Sequence, residues 1–186
     1  MRLLSHKTNR SNPARPNHGE LLMQTFLPYN DIKLSAFSLD SKRLNKQLLE
    51  GRQIYSILVS GKRTGAWVNH PAVKMWRHYD MALLEYLRAI KDECVTRGIQ
   101  TEKNWNAIME IDSRNWNRGS NVVMPPWWND ERVHESHRNN LYVKDSVHYM
   151  IFSDAKRVTC CDSCNYFWPV ENHAKDYSPN NNWSYV

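Results

Sequence analysis

Glu50 is the residue of this 186-residue chain whose neighbours most suggest chemistry. It lies in LDSKRLNKQLLE, and a helix there places Arg43, Lys46, Gln47 and Glu50 on one face. The nearby cations are expected to push its carboxyl pKa down and keep it ionised at neutral pH. An anion on a face built to meet phosphates weakens binding, so it wants a separate reason. One reason is chemical: a carboxylate that stabilises a developing sugar cation, or moves protons at C1′ and C2′. The other is structural: an i,i+4 pair with Lys46, contributing about 0.3–0.5 kcal/mol. Spacing by itself favours the brace.

Three further clusters carry reactive or planar groups. His134 and His137 sit three apart on an expected helix, with Arg138 adjacent and His148 further on. A closed zinc site takes four ligands, and no matching Cys or acid set accompanies the pair. Phosphate contacts from His137 and Arg138 are one reading, and buried, hydrogen-bonded histidines are the other. Cys160-Cys161-Asp162-Ser163-Cys164 holds one CxxC. It lacks the βαβ context of a redox motif, and zinc would need further ligands such as His148 or His173. An exposed thiol cluster without catalytic consequence is the default. Tyr166-Phe167-Trp168-Pro169 gathers three rings, either as a stacking platform or wedge beside an opened base step or as a segment docked on the core.

The charge has a direction. Residues 41–79 hold Lys42, Arg43, Lys46, Arg52, Lys62, Arg63, Lys74 and Arg77 against the single acid Glu50, so the chain's net +6 resides in this segment. A solvated basic helix face is the bland reading. Trp67, His70, Trp76, His78 and Tyr79 interrupt the same run, and basic groups interleaved with flat rings are the composition of a nucleic-acid groove. Binding through His70, Trp76 and Arg77 is expected there, weakening as salt rises. No apolar run reaches the roughly 18 residues of a membrane span, and no secretion signal opens the chain. Four cysteines do not make a disulfide framework, so a reducing cytoplasm is expected. Six glycines leave little for a Gly-rich phosphate cradle.

The elements that must position these groups are mostly helical. Residues 1–22 are polar and aperiodic, which predicts a disordered leader. Met23–Tyr29 is apolar and should tie into the core. A helix is predicted over 39–59, capped by Asp40 or Ser41, with Leu44, Leu48, Tyr55 and Leu58 as its buried stripe and Gly51 within it. A second long helix is predicted from His70-Pro71 to Arg97-Gly98, with Cys94 in its core stripe. A short helix fits Asn104–Ile111, and Met124–Trp128 reads as a stiff aromatic turn. Asp130 would cap a helix over 131–145. The fold class is all-α: a compact single-domain helical bundle over 23–170, with an irregular aromatic C-terminal segment and a polar tail over 171–186.

Several of these blocks, in this order, resemble one family. MQTFLPY, LDSKRLNKQLLE, NHPAVKMWRHY, PPWWNDERVHESHR and YFWP are similar to the bacteriophage and bacterial pyrimidine-dimer DNA glycosylases, the endonuclease V type of DNA repair enzyme. The likeness runs from Met23 to Pro169 and is stronger to a bacterial branch than to the phage enzyme. It implies a compact helical domain that breaks the N-glycosidic bond at a cis-syn pyrimidine dimer, then nicks the strand through an amine-linked Schiff base, with no metal. Glu50 would match the family's catalytic glutamate. Lys42, Arg43, Lys46 and Arg52 match its DNA-contacting face in kind. Tyr166 and Trp168 look like its aromatic C-terminal segment, near the lesion.

The family's nucleophile is the α-amino group of a processed N-terminal residue. Chemistry favours that: an α-amine with pKa about 7.7–8.0 is substantially neutral near pH 7.5, whereas a lysine at about 10.4 is roughly 0.1% neutral. Here 22 residues precede Met23. Gly19-Glu20 is encodable by a purine-rich stretch placed like a ribosome-binding site, so translation is expected to start at Met23. The amine would then be that of Met23, or of Gln24 if the methionine is removed; Thr25 echoes the family's threonine one position further in. Lys42 or Lys46, crowded by cations, is the other option. The expected partner is double-stranded DNA, damaged or kinked, met by a cytoplasmic monomer with no cofactor. The alternatives are a non-catalytic double-stranded DNA-binding protein on the same scaffold and a zinc-bearing interaction module built on Cys160–Cys164.

Overall fold

A computed structural model describes residues 23–61, 64–65, 67–114, 121–162 and 164–170. Those residues form six α-helices and no strand, which is the expected mainly-α class. Helix α1 spans Ile32–Ser38, α2 Ser41–Val59, α3 Pro71–Met75, α4 Asp80–Thr96, α5 Glu102–Ser113 and α6 Glu131–Lys144. Short 3-10 turns occupy Pro126–Asn129 and Met150–Phe152. The predicted leader and polar tail lie outside the described residues. No described helix is long and apolar enough to cross a membrane.

Helix α2 is the centre of the molecule and packs against both α4 and α5. Asp40 caps it by accepting from Arg43 N–H at 3.0 Å, a bond worth about 1 kcal/mol. Leu44, Leu48, Ile54 and Tyr55 are buried along one side. Gly51 lies in that stripe because α4 comes too close for a side chain: a Cβ there would sit 2.2 Å from Leu87 Cδ2. Asp130 caps α6 by accepting from Arg132 N–H at 3.1 Å. Cys94 is fully buried, and burial pushes its thiol up to about 11.

Two elements differ from the sequence reading. The long helix predicted from His70 to Arg97 is two helices, α3 and α4, separated by a turn in which His78 takes φ 70°. Trp76 explains the break. Its indole N–H donates to Thr25 Oγ1 at 2.9 Å and its ring packs on Tyr86 and Trp127, so the chain turns where a distant segment demands it. Helix α1, capped by Asp31 accepting from Leu34 N–H at 2.7 Å, was not anticipated. Its seven residues are too few to set up a visible period.

Candidate active site

The segment Met23–Pro28 is buried, yet it belongs to no helix and joins no sheet. Its backbone polar groups must therefore be satisfied by side chains. The N–H groups of Gln24, Thr25, Phe26 and Leu27 donate to Glu50 Oε2 at 3.4 Å, Gln24 Oε1 at 2.8 Å, Gln47 Oε1 at 2.8 Å and His137 Nδ1 at 2.8 Å. The Phe26 carbonyl accepts from Tyr86 Oη at 3.0 Å, and the Pro28 carbonyl from Arg138 Nη1 at 2.7 Å. His134 faces carbonyls with both ring nitrogens, Leu27 at 2.9 Å and Trp128 at 2.7 Å. Helices α2, α4 and α6 thus fix this segment residue by residue, and its first residues arrive beside Glu50.

Glu50 is 5% exposed. Its Oε1 pairs with Lys46 Nζ at 3.1 Å, and its Oε2 accepts from Gln47 Nε2 at 3.3 Å as well as from Gln24 N–H. Gln47 is the hinge of this arrangement, because its Oε1 also accepts from Tyr86 Oη at 2.7 Å. The expectation that cations lower the Glu50 pKa is corrected. Burial raises it above its ordinary value, and Lys46, the Gln24 N–H and Gln47 only partly offset that. The cations line one side of the carboxylate, while the core presses on the other.

Glu50 opens onto a cleft of about 500 Å³ between α2 and α5. Met23 and Lys46 stand beside it, Arg52 and Gln53 give a polar edge, and Leu49, Trp67 and Ile111 give an apolar wall. Trp67 is 45% exposed, the flat ring most available at this site. Lys144, at the end of α6, has its pKa lowered by burial and by Arg43 and Lys46, and it feels Glu50 as well. Local spacing does not reveal that α6 brings a further cation toward Glu50.

The expected contact residues divide. Lys46 and Arg52 meet at the cleft, and Lys42 is exposed on the same helix. Arg43 instead pairs with Asp40 and lies over the Tyr149 ring at 5.2 Å. Arg77 is exposed and donates to the Val68 carbonyl at 3.1 Å. His70 caps α3, accepting from Ala72 N–H at 3.2 Å, and its ring touches Trp67 and Trp168.

Five expectations of surface contact are corrected. Trp76, Tyr166 and Trp168 are buried and cannot stack on a base as they stand. Trp76 bonds Thr25, Tyr166 packs on Phe26 and His137, and Trp168 packs on His70. His137 is fully buried, and burial holds its pKa down to about 3, so it is a neutral acceptor for Leu27 and not a phosphate contact. Arg138 is mostly covered and pairs with Glu131 and Glu135 while holding Pro28. The expected thiol cluster is also different: Cys161 and Cys164 form a disulfide, and Cys160 is a free thiol.

Met23, the Glu50 helix, Trp67 and the α5 side of the cleft as far as Ala107 fall within one stretch of chain. The pyrimidine dimer DNA glycosylase family model matches residues 23–107, that same stretch. No curated protein and no solved structure matches the chain. The match starts at the residue whose backbone enters the cleft, and it supports the family that the sequence resembles: the pyrimidine dimer DNA glycosylases, a DNA repair family.

Proposed function

We propose that the chain is a DNA glycosylase with associated lyase activity, acting on damaged or modified pyrimidines in duplex DNA. What supports this is the meeting of a buried carboxylate with the start of the Met23 segment at the wall of an open cleft. In a chain beginning at Gln24, the α-amine would be the nitrogen that lies 3.4 Å from Glu50 Oε2. In a chain beginning at Met23 it would be one residue away, about 3.8 Å along the backbone. Thr25 is held in the core by Trp76 and serves to position the segment.

The reaction follows from those groups. The neutral amine attacks C1′, the C1′–N bond to the pyrimidine breaks, and the base leaves with a proton. The nitrogen lone pair then expels O4′, opening the C1′–O4′ bond of the sugar ring to give the protonated imine, and O4′ takes up a proton from water. Glu50 accepts a proton from C2′, and β-elimination breaks the C3′–O bond of the strand. Its anion also faces the positive charge that develops at the sugar. Lys46, Arg52 and Lys42 hold phosphates, and Trp67 offers a face to an extruded base. The chemistry needs no metal, and a monomer in the cytoplasm suffices for it.

Base release from ultraviolet-irradiated duplex tests the reading. The chain beginning at Met23 should release damaged pyrimidines and nick the strand, and Glu50→Gln should lose about 10²–10⁴-fold in rate. Equal, salt-sensitive binding of damaged and undamaged duplex with no scission by either form would leave the non-catalytic DNA-binding protein.

A further inference from the structure

The turn at residues 160–164 takes no part in the chemistry above. It is closed by two backbone bonds, Cys160 N–H to the Tyr166 carbonyl at 3.4 Å and Cys164 N–H to the Cys161 carbonyl at 3.1 Å. It gathers the sulfur atoms of Cys160, Cys161 and Cys164 within 4.8 Å of one another. Cys161 is exposed and the other two are half-buried, so solvent reaches all three. Sulfur atoms that share one tetrahedral zinc ion lie about 3.8 Å apart, from Zn–S bonds of about 2.3 Å. Small χ1 adjustments bring these three to that spacing once the Cys161–Cys164 bond is open. The donors are all soft thiolates, which select zinc over magnesium or calcium.

We propose that Cys160, Cys161 and Cys164 form a redox-gated zinc site, with water in the fourth position. A dithiol or phosphine reductant supplies two electrons and breaks the Sγ–Sγ bond. Two protons complete the thiols, and the reductant leaves as its disulfide or phosphine oxide. Zinc then displaces one proton from each of the three thiols. The disulfide form holds no such site, because two of the three sulfurs are engaged in each other. The site lies at the entrance to Tyr166 and Trp168, the rings that pin an irregular segment against Phe26 and His70. A metal there staples a stretch that has few backbone bonds of its own.

The test uses the full chain, reduced with a phosphine, desalted without oxygen and titrated with Co²⁺ and then Zn²⁺. One Co²⁺ per chain should bind, with sulfur-to-cobalt charge-transfer absorption and the d–d bands of tetrahedral thiolate coordination, and Zn²⁺ should displace it. Cys160→Ser and Cys161→Ser should each weaken binding more than about tenfold, whereas Cys94→Ser should not change it. The six helices of the described residues all precede the turn, so an unchanged helical circular dichroism signal checks that each variant is folded. Reduced protein that retains no cobalt, a triple Cys160→Ser, Cys161→Ser, Cys164→Ser variant that retains it equally, or an oxidised chain that binds as tightly as the reduced one would overturn the site.

Discussion

Helix α2 carries two acid–base pairs of the same chemical kind, one at its start and one in its middle. At the start, Asp40 pairs with Arg43 three residues on; in the middle, Lys46 pairs with Glu50 four residues on. Burial opposes the Asp40 charge, but hydrogen bonds from Tyr149, Arg43 and the Arg43 N–H outweigh it and bring the pKa down to about 2. Around Glu50 the balance reverses, and burial wins. The first pair stabilises the fold when charged. The second is held charged at some cost, beside a cleft and the entering chain. Spacing does not separate a brace from a reactive group; the direction in which the fold moves the pKa does.

The largest expected difference between the two pairs is in Glu50→Gln, read out as both rate and stability. Catalytic rate should fall by about 10²–10⁴-fold, while the urea midpoint at pH 7 stays equal or rises, because a buried charge has been removed. A loss of stability with unchanged chemistry would make Glu50 a second brace. Next, Lys46→Met should cost about tenfold in rate near neutral pH and move the acid limb of the pH–rate profile upward, since Glu50 then loses the cation paired with it. Asp40→Asn should do the opposite of Glu50→Gln: a loss on the order of 1–2 kcal/mol at pH 7 with the rate kept within about twofold.

The pH dependence of stability should differ in sign between the two acids. The folded pKa of Asp40, about 2, lies below its unfolded value of 3.8, so its contribution is full above about pH 4 and is lost as pH falls toward 2. The folded pKa of Glu50 lies above its unfolded value of 4.5, so its ionisation removes stability as pH rises from 4.5 through the folded value. Urea melts of Asp40→Asn and Glu50→Gln across pH 2–7 separate the two slopes. The smallest expected effect is on duplex binding, where Arg52→Ala should reduce the slope of log affinity against log salt by about one.

Much of this was legible in the sequence, and the rest was hidden for definite reasons. The α2 face, its Asp40 cap, the Asp130 cap and the mainly helical class follow from local rules that operate within one or two turns. The break at Trp76–Tyr79 does not, because it is set by a bond to Thr25, fifty-one residues away in sequence. Aromatic side chains misled for a related reason. Trp76, Tyr166 and Trp168 have the composition of a stacking surface, but they join the buried core cluster instead, and burial is not written in residue type. Gln47 was visible as a neighbour of Glu50 on the helix face, while its bonds to Phe26 and Tyr86 depend on the tertiary fold. Trp67 lay in the basic aromatic run and proves to be the ring left open at the cleft.

Borohydride trapping on ultraviolet-irradiated duplex, followed by peptide mapping of the adduct, tests the pairing of Glu50 with the α-amine. A covalent protein–DNA product is expected from the chain that starts at Met23, with the sugar attached to the α-amine of Met23 or Gln24, and is lost in Glu50→Gln. No adduct from that chain, or an equal yield from Glu50→Gln, would contradict the assignment of this carboxylate and this amine to the breaking of the sugar–base bond.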